Sequence, residues 1–255
     1  GGWGSSADHA INEKFKFQLI AKLPASDDRA YDYYDKYTVC FNDTLSDGIT
    51  FDKLDTVEIT NGDGGASQVI NNYTLDPNDP QSSFKLSIDN VKTCVPDLNK
   101  GATITVTYTA HLNEKASVNT AGGASNTENK NSVYLIYSNN PMSGGKGESV
   151  PDTVRDYTYA LQLVKEDFDD SSTKLKDVEF TIKATGADEL ASGTVGTQFV
   201  QEDGSLGGTE HKFKTNENGE ISVTGLDAGI YTVHEVENSN PGYNTLPDFT
   251  FTITA

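Results

Sequence analysis

Hydrophobic and polar residues alternate along many short stretches of this chain, which is the pattern of half-buried β-strands. In the stretch 159–165 the apolar face of the predicted strand ends in Lys165, and in 231–235 it ends in Glu235. Burying an unpaired ammonium or carboxylate costs several kcal/mol. Alternation alone leaves two interpretations open. Either each strand ends one residue early and its charge lies in solvent, or the two charges form a buried pair that takes part in covalent chemistry inside the protein.

The first half of the chain repeats this pattern with uncharged and acidic residues. In 39–45 the apolar face includes Asp43, and in 131–137 it includes Asn131. A hydrogen-bonded polar residue in the core is the simple interpretation of each, and covalent chemistry is the alternative.

Several ordered blocks in the second half share their sequence with a known domain type. These blocks are 163–167, 175–180, 225–235 and 241–243. Together they resemble the Cna protein B-type (CnaB) domain of Gram-positive surface proteins. The resemblance implies that Lys165 joins its side chain to an Asn or Asp on the last strand in an isopeptide bond, and that Glu235 catalyses the reaction.

Two blocks in the first half, 41–50 and 131–141, resemble the middle domain of backbone pilins from sortase-assembled pili. The resemblance implies that Asp43 is the catalytic acid and that Asn131 is the acceptor of a second isopeptide bond.

The residues that should complete these two bonds are not evident. Lys14 and Lys16 alternate with apolar residues and are expected to face solvent. In the final stretch, Phe249, Phe251 and Ile253 are predicted to point inward, with no Asn on their face. We therefore expect the partners of Asn131 and Lys165 to lie outside this chain, in a longer precursor that also carries the pilin-motif lysine and the sorting signal.

Composition favours an all-β protein made of two tandem immunoglobulin-like β-sandwich domains. The 255 residues are rich in Thr, Tyr, Val and Phe, punctuated by Gly, Asn and Asp. A turn-rich run at 138–147 places the predicted boundary near 154, giving a CnaA-like middle pilin domain at 1–154 and a CnaB-type domain, truncated at its last strand, at 155–255. The net charge of -19 disfavours nucleic acid and anionic membranes as partners.

Other chemistry has little support in the sequence. Cys40 and Cys94 permit one disulfide in an oxidising compartment, with two free thiols as the alternative. The four histidines are scattered, so we expect no metal, no cofactor and no active site for an external substrate.

The sequence therefore predicts a structural shaft subunit of a covalently polymerised pilus, extracellular and anchored to the cell wall, with other pilin subunits and sortase as partners. In the expected mechanism a neutral lysine attacks the carboxamide and expels ammonia, while a protonated carboxyl polarises the amide oxygen. The alternative function is an adhesin or tip subunit that binds a host protein or glycan with the same two folds.

Overall fold

A computed structural model describes residues 3–24, 29–62, 64–95, 98, 101–119, 128–186 and 198–254. Apart from two short 3-10 helices at Arg29–Tyr33 and Val91–Thr93, the regular structure in these ranges is β-strand. The prediction of an all-β protein is confirmed.

The strands of the first part of the chain are β1 Ser6–Asp8, β2 Lys14–Lys22, β3 Val39–Leu45, β4 Ile49–Thr60, β5 Gln68–Val69, β6 Thr74–Asp76, β7 Phe84–Ile88, β8 Thr103–Leu112, β9 Asn129–Asn140 and β10 Gly145–Glu148. Those of the second part are β11 Asp152–Tyr157, β12 Tyr159–Val164, β13 Glu179–Gly186, β14 Gln198–Val200, β15 Leu206–Gly207, β16 Phe213–Lys214, β17 Glu220–Leu226, β18 Gly229–Glu235 and β19 Phe249–Ile253.

The chain divides into two compact units. Unit 1 is built mainly from Lys14–His111 and Lys130–Arg155. Unit 2 begins its main segment at Asp156 and also includes Ser6–Glu13 and Leu112–Asn129. The boundary predicted near 154 places these two short segments in the first domain, because neither segment has a periodic pattern that reveals its tertiary contacts.

Unit 1 contains two sheets that face each other. In one sheet β9, β3, β7 and β6 lie side by side, with β10 and β11 also pairing with β9; the other sheet has the order β2-β8-β4-β5. Alternation decides which side chains enter the core: along β2, Phe15, Phe17 and Leu19 are buried. Lys14 and Lys16 point outward, as predicted, and their side chains are more than half exposed.

Unit 2 also contains two sheets. The smaller pairs β12 with β17, and the larger has the order β15-β14-β13-β18-β19, with β16 also pairing with β13. Their inward faces enclose an apolar core that includes Ile182, Leu226, Tyr231 and Val233. Along β18 burial alternates strictly and ends with Glu235 on the core face.

Candidate functional sites

Three polar side chains meet in the core of unit 1. Asp43 on β3, Tyr108 on β8 and Asn131 on β9 are each at most 3% exposed. The Tyr108 hydroxyl donates a hydrogen bond to Oδ2 of Asp43 at 2.7 Å, and Nδ2 of Asn131 donates to the Tyr108 oxygen at 2.7 Å. The tyrosine thus connects the two residues that the sequence singled out, and the burial predicted for both is confirmed.

Strand register explains why Asp43 and Asn131 are close. In the antiparallel pair of β3 and β9, Asp43 lies opposite Val133 and Leu45 lies opposite Asn131. Asp43 and Asn131 are therefore diagonal neighbours on one face, within reach of each other's side chains. Tyr108 approaches from the facing sheet.

The electrostatics of this site favour a neutral acid. Burial raises the pKa of Asp43 to about 7, although hydrogen bonding with Tyr108 and Asn131 acts in the opposite direction. Burial and the nearby Asp43 raise the pKa of Tyr108 as well. Oδ1 of Asp43 and Oδ1 of Asn131 are both buried, and within the described residues neither has a hydrogen-bond partner. A protonated Asp43 can therefore supply the donor that a buried amide oxygen lacks.

Aromatic rings fix the position of Tyr108. Its ring stacks on Phe51 with centroids 5.2 Å apart, meets Phe84 edge-on at 5.2 Å and contacts Phe17 at 5.3 Å. The sequence analysis did not identify Tyr108. Its only signal there is a hydroxyl-bearing residue on the inward face of the alternating stretch 103–112.

In unit 2 the two charged residues predicted from alternation contact each other. Nζ of Lys165 lies 3.2 Å from Oε2 of Glu235, and the two side chains are 14% and 1% exposed. The backbone N–H of Leu246 donates to the same carboxylate oxygen at 3.0 Å. Strand β12 ends at Val164, one residue before Lys165, but the alternative that places both charges in solvent is excluded.

The loop after β12 holds Lys165 through its backbone. The N–H of Lys165 donates to the Gly219 carbonyl at 2.7 Å, and its carbonyl accepts from the Leu175 N–H at 3.0 Å. Gly219 has a positive φ of 69°, and a Cβ there would lie 2.3 Å from the Lys165 carbonyl oxygen. Any other residue at 219 would therefore displace the backbone that carries the lysine.

Strand β12 is bordered by β17 along one edge, and the described residues contribute no second strand ladder along its other edge. Leu161 and Leu163 point from β12 toward the core and are only half-buried. Asn119 engages the beginning of this edge, where its carbonyl accepts from the Ala160 N–H at 3.2 Å. Nearer to Lys165 the described part of the chain leaves the edge without a paired strand, so its backbone groups could pair with a further strand.

The last strand places its apolar residues on the inward face, as predicted, but covers them unequally. Phe251 and Ile253 pack against the core, and the ring of Phe251 stacks on Tyr231 with centroids 5.1 Å apart. Phe249, however, is 37% exposed. It begins the edge strand of its sheet, where a side chain on the inward face is incompletely covered.

The predicted disulfide is not present. Cys40 and Cys94 are free cysteines, and their thiols have different neighbours. Sγ of Cys40 contacts the Phe41 carbonyl, whereas Sγ of Cys94 contacts the Asn90 carbonyl. An even cysteine count cannot supply the approach of two Cβ atoms that a bridge requires.

Unit 2 also contains a buried pair of carboxyl groups that the sequence did not reveal. Oδ2 of Asp8 accepts a hydrogen bond from the Ala228 N–H at 3.0 Å. The neighbouring Asp227 is 1% exposed, and burial together with Asp8 raises its pKa. Both carboxyl oxygens of Asp227 are buried without a hydrogen-bond partner among the described residues, which together with the neighbouring Asp8 favours the neutral form of Asp227.

A histidine–carboxylate pair lies on the same segment of unit 2. Nδ1 of His9 is 2.7 Å from Oδ2 of Asp156. Burial acts to lower the pKa of His9, but the hydrogen bond and charge of Asp156 raise it overall. These contacts anchor residues 6–13 in unit 2 and show no arrangement for catalysis.

Across the described ranges, no three His, Cys, Asp or Glu side chains are grouped so that they could hold a metal ion. The helices in the same ranges lack the length and apolar character needed to cross a lipid bilayer.

Comparison with known proteins finds a family similar to the second part of the chain and solved structures with the fold of the whole. Residues 160–255 match the SpaA family of prealbumin-like fold domains. No curated protein sequence matches the chain.

Among solved structures, the chain is similar to the pilus 2b backbone protein of group B streptococcus, with a TM-score of 0.70 and 22% identity over 97% of this chain and 87% of that one. A 35 kDa C-terminal fragment of the major pilin GBS80 of Streptococcus agalactiae gives 0.68 and 20% over 97% and 87%. Domains D2 and D3 of the major pilin SpaD of Corynebacterium diphtheriae give 0.61 and 20% over 96% and 85%. The chain therefore has the immunoglobulin-like fold of Gram-positive backbone pilins, as the sequence predicted.

Proposed function

We propose that this chain is a shaft subunit of a sortase-assembled cell-surface pilus, and that each of its two domains is stabilised by an autocatalytic intramolecular Lys–Asn isopeptide bond. The protein is then extracellular and anchored to the cell wall, and its partners are sortase and further pilin subunits. The fold shared with backbone pilins supports the shaft role.

The observation that carries the proposal is a buried carboxyl beside one half of a lysine–asparagine pair in each unit. In unit 1 Asp43 neighbours the amide of Asn131, connected through Tyr108. In unit 2 Glu235 contacts the amine of Lys165. Each unit would be completed by one further side chain from a strand outside the described residues: a lysine for Asn131, and an Asn or Asp for Lys165.

The open edge of β12 supports this assignment in unit 2. A strand added along that edge would satisfy the free backbone groups of β12 and bring its side chains level with Lys165. It would also cover the half-buried Leu161 and Leu163.

The chemistry requires a neutral amine nitrogen that attacks the side-chain carbonyl carbon. The new C–N bond forms, the bond to the amide nitrogen breaks, and that nitrogen leaves as ammonia with a proton that originates from the amine. A neutral carboxyl assists by donating a hydrogen bond to the amide oxygen, where negative charge develops. The raised pKa of Asp43 suits it to this role.

Intact-mass measurement of the longer protein, containing both additional strands, tests the proposal. The wild type should be lighter than its sequence mass by one ammonia for each Lys–Asn bond. Glu235→Ala should restore the unreacted mass of unit 2 only, and Asp43→Ala that of unit 1 only, because the two sites lie in separate cores.

Asp156→Asn is a matched control, since Asp156 is 2% exposed but contacts neither site. It should leave the mass loss unchanged. If the wild-type mass equals the sum of its residues, the isopeptide bonds do not form and Lys165 and Glu235 are an ordinary ion pair.

A further inference from the structure

Tyr108 is placed to act on the leaving nitrogen of the reaction in unit 1. Its hydroxyl forms hydrogen bonds of 2.7 Å with both Asp43 and Asn131. The atom of Asn131 that it contacts is Nδ2, which becomes ammonia if Asn131 reacts with an amine. We propose that Tyr108 is a catalytic residue of unit 1, orienting the Asn131 carboxamide and delivering the proton to its departing nitrogen. This inference rests on the proposed function.

The hydrogen-bond directions set the orientation of the carboxamide. The hydroxyl has one proton, which it gives to Oδ2 of Asp43, so toward Asn131 it acts as an acceptor and selects the NH2 group. Oδ1 of Asn131 is thereby turned away from Tyr108. It is buried without a partner among the described residues, as is Oδ1 of Asp43. Each of the two side chains thus forms a hydrogen bond with Tyr108 through one atom and keeps its Oδ1 available for the reaction.

Packing around the Tyr108 ring fixes the position of its hydroxyl oxygen. Phe17, Phe51 and Phe84 surround Tyr108 with centroid distances of 5.2–5.3 Å. The ring approaches from β8, across the core from the sheet that carries Asp43 and Asn131. The two sheets of the sandwich therefore each supply part of the site, and the hydroxyl oxygen is already in place when the amide reacts, so that only its O–H bond has to rotate.

The proton transfers balance. Attack of the amine on Cγ of Asn131 makes a tetrahedral centre in which Nδ2 becomes basic. The Tyr108 O–H then turns from Oδ2 of Asp43 to Nδ2 and donates its proton there. Oδ2 of Asp43, which carries the carboxyl proton once it no longer accepts from Tyr108, gives that proton to the tyrosine oxygen. As the C–N bond breaks and ammonia leaves, the proton lost by the attacking nitrogen returns to Asp43. Tyr108 and Asp43 end in their starting states.

The test measures the rate at which newly purified longer protein loses ammonia from unit 1, with Tyr108→Phe compared with the wild type. The variant keeps the ring and its aromatic contacts. Loss of a general acid typically slows a reaction by about 100-fold or more, so Tyr108→Phe should remain largely unreacted while the wild type is complete. Tyr231→Phe is the matched control: Tyr231 is also 0% exposed, and its hydroxyl donates to the Asp227 carbonyl in unit 2. It should leave the unit 1 reaction unchanged.

A second variant separates catalysis from folding. A 3,5-difluorotyrosine introduced at position 108 keeps the hydroxyl and the ring but makes the phenol more acidic, so unit 1 should react faster than with tyrosine. A merely structural hydroxyl would leave that rate unchanged.

The outcomes are distinct. If the wild type loses ammonia from unit 1, and Tyr108→Phe and the fluorinated protein do so at the same rate, Tyr108 is structural and this inference is wrong while the proposed function stands. If the wild type loses no ammonia from unit 1, the proposed bond in that unit is itself wrong and the role of Tyr108 falls with it.

Discussion

Asp43 in unit 1 and Glu235 in unit 2 are both deeply buried carboxyl groups, but their neighbours differ in charge. Glu235 contacts the amine of Lys165 and accepts a backbone N–H from Leu246. Asp43 has only the neutral groups of Tyr108 and Asn131 as hydrogen-bond partners in the described residues, and burial raises its pKa to about 7. In the proposed reaction, Glu235 would therefore lie beside the nucleophile and Asp43 beside the electrophile. A buried carboxyl in a sandwich core is thus paired with a cation or left among neutral groups according to which strand supplies its neighbour.

The largest effect is expected when the Lys165 amine is removed from unit 2 in the 255-residue chain, which tests whether Glu235 depends on its charged neighbour. Lys165→Met should lower the free energy of unfolding of unit 2 by about 3–5 kcal/mol, because a buried carboxyl loses its cationic partner. Denaturant unfolding followed by NMR signals from β18 measures this loss.

The double variant Lys165→Met/Glu235→Gln should recover most of that stability, since the uncompensated charge is gone. Lys176→Met is the control, because the Lys176–Glu217 pair lies on the surface and should change nothing measurable. A double variant no more stable than Lys165→Met would show that the lysine stabilises by packing rather than by charge.

The pH dependence of unit 1 provides a second contrast. Folded unit 1 keeps the Asp43 proton up to about pH 7, whereas the unfolded chain releases it near the ordinary value of 3.8. The stabilising contribution is therefore full below pH 3.8 and is lost as the pH rises through about 7. At about 1.36 kcal/mol per pH unit, it amounts to about 4 kcal/mol at most.

Asp43→Asn should remove this decline, as measured by denaturant unfolding of unit 1 between pH 4 and 8. Asp55 offers an opposite control: burial acts to raise its pKa, but hydrogen bonds from Thr109 and Lys53 lower it overall. Asp55→Asn should therefore remove stability that is gained with rising pH. A wild-type profile unaffected by Asp43→Asn would mean that Asp43 is already ionised in the folded state.

The smallest expected effect concerns the thiols, which report how readily unit 1 opens. Cys40 lies on β3, three residues before Asp43, and is buried, whereas Cys94 is partly exposed. A thiol reagent should modify Cys94 first and Cys40 only as β3 unfolds, although burial also raises the pKa of Cys94 and slows its reaction. Mass spectrometry of the denatured, unreduced protein should find both cysteines modified; modification of neither would indicate a disulfide.

Alternation along single strands was enough to predict that four polar residues of the two candidate sites face the cores. A period of two fixes the face on which Lys165, Glu235, Asp43 and Asn131 lie, whatever the rest of the fold does. It could not identify Tyr108, because the meeting of β8 with β3 and β9 depends on how two sheets face each other. Nor could it exclude a disulfide between Cys40 and Cys94, since bridge geometry is a property of the folded backbone.

The same limit applies to residues 6–13, which the predicted boundary near 154 places in the first domain and which pack in unit 2. Their place in unit 2 depends on contacts such as that between Asp8 and Ala228, which no local pattern encodes. The turn-rich run at 138–147 is a local signal, and it lies shortly before the main segment of unit 2 begins in the sequence. It contains no information about short segments from earlier in the chain that also pack in unit 2.

The hydrogen bond from Ala228 to Asp8 joins residues 220 positions apart. At typical rates of synthesis of about 5–20 residues per second, Ala228 emerges about 10–45 s after Asp8. Closing a contact of such high sequence separation is slow, because the loop-closure entropy of the intervening chain must first be overcome. The Asp8–Ala228 contact can therefore form only after every residue of unit 1 has been synthesised.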